Sequence, residues 1–381
     1  MTGKTLQALR AEFPLLQTCT YLNSNSTGAF PRGMEAVLQR YARTMQEWRD
    51  EVWEGWWADW HAYADAVARF IGGPPGSVVT DGNLTTLMGR LGTCFDFQGE
   101  RRRVVITGLE FPTVPFLWSG FSRYGAETVV VPAEGSRVDA EALCAAIDER
   151  TRIVSLCHAS FATGALMDLE PVVKRAHAVG AQVVVDAYQS VGAVPIDVSA
   201  LGVDFLLGGA HKWMCGSVES AFLYVRPDLT DSLRPAATGW MAGENPLTFE
   251  PAKAWAPTAR RLAGGTPAVL PSQLSQVGLD LLNAAGIHTI REHSLRCTAR
   301  VMARADEAGL PVVTPRQDAH RAGIVTLRFP GDAQVARRLV AGGFVCSYRG
   351  GLRVAPHFYN TLEEVDLFMD RLVAEARKEA A

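Results

Sequence analysis

Two residues, Asp186 and Lys212, stand where this sequence most readily places chemistry. Asp186 closes the apolar run QVVVD and is followed by AYQS, and Lys212 follows a second apolar run, DFLLGG, in the stretch AHKWMCG. An acid at the end of an apolar strand lies at the carboxyl edge, where open α/β sheets bind ligands. Alone it reads as a turn or cap residue, and a His-Lys pair alone reads as solvated surface. Here, however, Lys212 sits between a strand and a glycine-containing turn and precedes Trp213 and Met214. An amine in such surroundings loses hydration, its pKa falls, and it becomes a nucleophile toward a carbonyl.

An acid and an amine on successive strands, both ending at one sheet edge, meet the main needs of pyridoxal 5'-phosphate (PLP). The cofactor needs an amine for its aldehyde and an anion that keeps its ring nitrogen protonated, so that the ring works as an electron sink. Lys212 supplies the first and Asp186 the second. Gln189, three residues past Asp186, stands within reach of the ring's phenolic oxygen. For the phosphate, the turn Asp81-Gly82-Asn83 leads into a helix from Leu84, offering backbone N–H groups and the positive end of a helix dipole.

The elements that must position these groups follow from patterning. Short β-rich runs lie at Val104 to Thr107, Thr128 to Pro132, Ile153 to His158, Gln182 to Asp186, Asp204 to Gly209 and Ala221 to Val225, with amphipathic segments between them. Near-continuous apolar strands alternating with helices predict an α/β architecture: a three-layer fold with a mostly parallel sheet covered on both faces. Helical spacing covers Ala140 to Asp148 and Leu169 to Val179, the latter capped by Gly180. Ahead of the sheet, helices are expected over Met34 to Ile71 and Leu84 to Phe95. Past Trp255 the pattern changes to a long helix from Pro271, strands near Val312 and Ile324, a helix Ala333 to Ala341, strands around Val345 and Leu352, and a closing helix Leu362 to Glu379. The expected division is a large cofactor-binding domain over residues 16–255, with residues 1–15 and 256–381 forming a smaller α+β domain.

Composition narrows the function classes. The chain has 381 residues and a formal net charge of -3, with acids and bases interspersed. No basic tract with interleaved aromatics suggests nucleic acid, and no apolar stretch is long enough for a bilayer or shaped as a leader. A cytoplasmic protein is expected, with no membrane partner and no bound metal. Its seven cysteines lack CxxC pairs, and several sit inside apolar runs, which reads as buried thiols.

Beyond these local readings, the chain resembles the class V branch of the fold-type I PLP enzymes almost end to end, and kynureninases within it. The resemblance rests on YLNSNSTG (Tyr21 to Gly28), ARFIGGPPGSVVTDGN, EFPT (Glu110 to Thr113), Gly239-Trp240, ARRLAGGTP (Ala259 to Pro267) and LRVAPHFYNTLEEVD near the C-terminus. It implies that Phe111 stacks on the cofactor ring and that Gly82, Asn83 and Leu84 line the phosphate. It further implies that Thr266 reaches the phosphate of the neighbouring subunit of a homodimer with shared active sites. His211 would sit beside the lysine that carries the cofactor, Arg353 would clamp the carboxylate of an amino-acid substrate, Asn25 would stand near that carboxylate, and Trp240 would belong with the cofactor-binding groups.

The resemblance implies cleavage at a β carbon, as a kynureninase-like hydrolase or a carbon–sulfur or β-elimination lyase. The alternatives are a class V aminotransferase or an amino-acid epimerase and, from a different class, a PLP-binding protein without catalysis. Two departures bear on the substrate. Kynureninases have Tyr before the cofactor lysine where this chain has His211, and an aromatic-Gly-His after the Gly-Trp where it has Met241-Ala242-Gly243. Cysteine desulfurases need a cysteine on a mobile loop, whereas Cys346 lies in the apolar run VCSY and reads as buried. Finally, Trp48, Trp53, Trp56, Trp57 and Trp60 have partial helical spacing. They read as a helix face packed on a domain or dimer core, the sharper alternative being a pocket wall for a large side chain, shared with Trp240.

Overall fold

The apolar runs form the central layer of the protein, seen here in a computed structural model that describes residues 5–49, 51–251 and 254–380. Seven strands make one sheet: β1 (Val78–Asp81), β2 (Arg103–Thr107), β3 (Glu127–Val131), β4 (Thr151–Cys157), β5 (Gln182–Asp186), β6 (Phe205–Gly209) and β7 (Ala221–Val225). Their spatial order is β1-β7-β6-β5-β4-β2-β3, with every pairing parallel except the two made by β7. Successive side chains of a strand point to opposite faces. Val183, Val185 and Leu206 accordingly enter one buried cluster, and Val184, Phe205 and Leu207 the other. With both faces covered, each strand is apolar throughout, which is why the sequence shows runs and not alternation.

Helices cover the two faces. In Val52–Phe70 the buried residues Trp57, Trp60, Ala64 and Val67 form one stripe, and this helix packs on Val269–Ala285. The expected continuous helix from Met34 to Ile71 is in fact two, Gly33–Gln46 and Val52–Phe70. Glu47 leaves the helical region at φ -112°, ψ 34°, and Trp48 folds back edge-on against Trp53 and Trp56. The expected helix from Pro271 begins earlier, at Val269, with Pro271 in the first turn, where its missing N–H leaves no bond unmade. It ends at Gly286, whose φ of +79° opens the next helix, Ile287–Glu307.

Beyond the sheet, strands Val325–Leu327, Leu352–Val354 and Ser347–Tyr348 form a second, antiparallel sheet backed by helices Ile287–Glu307, Asp332–Ala341 and Leu362–Ala380. Near Val312, among the described residues, the expected strand is a single bridge, to Leu327. The N-terminal segment runs along the second sheet's half of the protein and reaches the end of β6, where Gly28 donates its N–H to the His211 carbonyl. Thr20–Tyr21 pairs parallel with Phe344–Val345, and Asn23 bridges Ala355. Among the described residues no helix is long and apolar enough to cross a membrane, and no cluster of His, Cys, Asp or Glu is suited to a metal.

Candidate active site

The carboxyl edge of the sheet brings the singled-out residues to one place. β5 delivers Asp186 beside Cys157 of β4 and Leu207 of β6, and its Oδ1 accepts the Tyr188 backbone N–H at 2.8 Å. β6 runs on through Ala210 and His211 to Lys212. The lysine's loop is pinned from several sides. Trp213 is fully buried, its indole N–H donates to Gln189 Oε1 at 2.9 Å, and its carbonyl accepts from His357 Nε2 at 2.7 Å. Gly28 donates its N–H to the His211 carbonyl at 2.7 Å, and a Cβ at that glycine would lie 2.3 Å from the Lys212 carbonyl oxygen. Position 28 therefore has no room for any side chain.

Lys212 Nζ lies 4.7 Å from the centre of the Tyr188 ring and 5.7 Å from that of Phe111. Burial lowers its pKa to about 8, the nearby Arg353 pushing the same way and Asp186 opposing. Burial also raises the Asp186 carboxyl above its ordinary value, partly offset by the Tyr188 N–H and by Lys212. His211 shares a 3.1 Å hydrogen bond with the Tyr188 hydroxyl through Nδ1, and burial beside Lys212 lowers its pKa to about 4, so its imidazole is neutral at pH 7.

Above these groups stands Arg353, on the strand Leu352–Val354. It is buried, donates through Nη1 to the Phe161 carbonyl at 2.6 Å, and leaves Nε without a partner. Burial, with the charge of Arg349 added, lowers its pKa to about 10. Among the described residues no carboxylate pairs with it. A buried guanidinium fork with no anion is a cradle for one.

At the other end, Asn83 caps the helix Leu84–Gly92, its Oδ1 accepting from the Thr86 N–H at 2.9 Å. That cap leaves the helix's first turn, at Leu84 and Thr85, turned to the same cavity of about 350 Å3 that Lys212, Asp186 and Arg353 line. Phe111, 44% exposed, presents its ring to this cavity and meets Phe161 edge-on. Asn25 and Gln189 line it too. Gln189 is largely committed, its Nε2 donating to the Asn25 carbonyl at 2.9 Å and its Oε1 accepting from Trp213, so that one N–H remains for a ligand.

Two residues expected at the cofactor, Gly82 and Trp240, lie outside the lining, and so does Thr266, whose expected place is the neighbouring subunit's site. Gly82 donates its N–H to its neighbour Asp81. Thr266 sits in the turn after Gly264-Gly265, and Trp240 packs edge-on to Trp57 and face-on to Phe249. The tryptophans of Val52–Phe70 form an aromatic chain with Tyr41 and Trp240, likewise away from this cavity. Conversely, sequence reasoning missed Tyr188, Glu110 and Arg349. The first two stood next to residues already singled out, in DAYQ and EFPT.

Comparison with known proteins gives this site a lineage. Residues 62–368 match the family Aminotransferase class-V. The chain is 30% identical over 371 residues to an uncharacterized aminotransferase, YcbU, of Bacillus subtilis, covering 96% of this chain and 97% of that protein. It is also 30% identical over 355 residues to a kynureninase of Deinococcus radiodurans, covering 89% and 85%.

The chain belongs to the aminotransferase class V family.

Solved structures agree on the fold of this class V protein. A cysteine desulfurase from Thermococcus onnurineus superposes with a TM-score of 0.86 at 22% identity over 99% of both chains. The cystine C–S lyase C-DES does so with a TM-score of 0.87 at 21% identity, over 95% of this chain and 99% of that one. The architecture is that of the fold-type I PLP enzymes, and PLP is the family's cofactor. The residues present fit it. The first turn of the helix at Leu84 opens on the cavity, Phe111 offers a ring face, and Asp186 and Lys212 stand at one sheet edge.

Cys346 is the cysteine placed nearest in sequence to Arg353. It is buried in the cluster of the second sheet, and burial pushes its thiol up to about 12. A thiol held protonated is a weak nucleophile.

Glu110 adds a buried acid below this class V site. Its Oε1 accepts from the Thr107 hydroxyl at 2.7 Å, Oε2 is buried without a partner, and burial pushes its pKa up to about 8, the Asp186 charge adding to the rise. Glu110→Gln keeps the acceptor for Thr107 and removes the ionisation. Because the folded pKa lies above the unfolded value, the native state holds this proton more tightly. Its stabilising effect is complete below about pH 4.5 and is lost as pH rises through about 8. E110Q is therefore expected to melt close to wild type at pH 5 and at a higher temperature than wild type at pH 8.5. A difference in Tm that does not grow with pH would contradict this.

Proposed function

We propose that this class V enzyme acts on an α-amino acid and breaks a bond at its β carbon, by carbon–carbon hydrolysis or by elimination of a sulfur or other leaving group. The amino-acid part is carried by one observation, the buried Arg353 guanidinium without an acidic partner on the cavity that also holds Lys212 and Asp186. The β-carbon part draws support from the kynureninases among the chain's relatives.

When bound, PLP supplies an electron sink for negative charge developing at the substrate's α carbon. The chain's own groups do the rest. Lys212, whose amine is partly neutral near physiological pH, holds the cofactor's aldehyde and, once displaced by the substrate amine, takes the α proton on Nζ. Asp186 keeps a proton on the ring nitrogen, and the Tyr188 N–H keeps Asp186 in place. Phe111 covers the ring face. Arg353 fixes the substrate carboxylate through its free donors, with Asn25 beside it. His211, neutral and bonded to Tyr188, flanks Lys212 without competing for positive charge. In this reading two copies pair, and Thr266 of one reaches the phosphate held at Asn83 and Leu84 of the other.

The Bacillus subtilis relative, named as an aminotransferase, favours a second reading, transamination. The test is to mix the PLP-loaded enzyme with kynurenine, 3-hydroxykynurenine, cysteine conjugates and common amino acids, and to assay alanine, pyruvate, ammonia and 2-oxo acids. Catalytic formation of alanine with a released acid, or of pyruvate with ammonia, is expected. A 2-oxo acid retaining the substrate's side chain, formed once per active site until a second oxo acid is added, would replace cleavage by transamination.

A further inference from the structure

The cavity holds a second guanidinium that the reaction just described does not use. Arg349 occupies the hairpin loop between strands Ser347–Tyr348 and Leu352–Val354, in which Ser347 faces Arg353 across the ladder. Its place on the cavity wall is built. The Arg349 N–H donates to the Gly351 carbonyl at 3.1 Å, and Gly350 turns at φ +67°. Arg328 Nε donates to the Gly350 carbonyl at 2.8 Å, and Gly351 packs so closely that an added Cβ would lie 2.8 Å from Thr326 Cγ2. Ser347 is in turn bonded to Asn25 at 3.2 Å, which ties the hairpin to the opposite wall.

The charges of the cavity do not balance around an ordinary amino acid. Lys212, Arg349 and Arg353 line it, and Asp186 is its sole lining carboxylate. Asp186 is assigned to the ring nitrogen, Lys212 to the aldehyde, the helix start at Leu84 to the phosphate and Arg353 to the α-carboxylate. Arg349 remains. Apart from Nη1, which donates to the Tyr348 carbonyl at 2.8 Å, its donors have no partner given by the fold, and among the described residues no carboxylate pairs with it. The charge of Arg349 adds to the lowering of the Arg353 pKa. An α-carboxylate engages Arg353 alone, whereas a second anionic group on the substrate would engage Arg349, which is exposed at the rim of the cavity.

Resting on the amino-acid reading above, we infer that Arg349 is a specificity-determining residue that selects substrates whose side chain carries an anionic group. Its guanidinium meets that group at the cavity mouth, one hairpin turn from the arginine that holds the α-carboxylate.

The experiment uses the PLP-loaded wild-type enzyme and isosteric probes, L-aspartate against L-asparagine and L-glutamate against L-glutamine. It reads the concentration giving a half-maximal change in the cofactor's visible absorbance. A charge-assisted contact that is partly solvated should favour each acid over its amide by about tenfold. Arg349→Gln should erase that ratio and Arg349→Lys keep part of it, both with wild-type cofactor content. Equal response to acid and amide in the wild type, a preference that survives in R349Q, or loss of cofactor from R349Q would each overturn the inference. If no amino acid, acidic or neutral, changes the absorbance, the amino-acid reading itself fails and takes this inference with it.

Discussion

Lys212→Ala is expected to lower turnover by about a thousandfold or more, because it removes both the amine that holds the cofactor and the base that takes the α proton. The loop around it is pinned by Trp213, by the Gly28 N–H to the His211 carbonyl and by the Cys215 N–H to the Lys212 carbonyl, none of which uses the lysine side chain. The variant should therefore fold, with far-ultraviolet circular dichroism matching wild type. Borohydride treatment of the PLP-loaded wild type should fix the cofactor covalently to the peptide bearing Lys212, and the same treatment of K212A should fix none. Retained turnover, or cofactor fixed on another lysine, would remove Lys212 from its assigned role.

The second large effect is a split between stability and binding at Arg353. Arg353→Gln should raise KM by about a hundredfold, since a charge-assisted pair with a carboxylate contributes roughly 3 kcal/mol, and each 1.4 kcal/mol is about tenfold. In the substrate-free protein the same change should raise Tm or leave it unchanged. The native guanidinium is buried without an acidic partner, and an uncompensated buried charge is costly. Arg353→Lys keeps the charge but loses the two-pronged geometry, and should fall between. A drop in Tm with unchanged KM would make Arg353 a structural residue of its strand and no substrate clamp.

Much of this was legible in the sequence because the central strands are buried on both faces, so their ends are marked by abrupt changes in composition. QVVVD and DFLLGG delivered Asp186 and the approach to Lys212 within a residue of the observed strands β5 and β6. Other features had no local mark. β1, Val78–Asp81, exists because β7 pairs with it from far along the chain, and in sequence it reads as the lead-in to the turn at Gly82. Glu47, which splits the long helix, differs little from any helical Glu, and the break shows only in how Trp48 packs on Trp53 and Trp56. Arg349 and Tyr188 gain meaning from what lies across the cavity, and that is set by tertiary contacts. Trp240 lies outside the cavity of Lys212, edge-on to Trp57 and stacked on Phe249, on a separate hollow lined by residues between 243 and 254, a placement that only the tertiary packing reveals.

The path of residues 20–28 from the second sheet's half to the end of β6 also orders events during synthesis. Tyr21 pairs with Val345, Asn23 with Ala355 and Gly28 with His211, and Arg353 closes on Phe161. Gly28 and His211 can meet early, but a ribosome must release nearly the whole chain before the other three pairs can form, although the seven-strand sheet is already complete at Val225. A nascent chain stalled short of residue 345 would display a finished sheet edge with Asp186 and Lys212 but no roof over them. Binding of the substrate carboxylate, assigned to Arg353, thus waits on the second sheet, whereas the cavity residues assigned to the cofactor are all on the chain by Lys212.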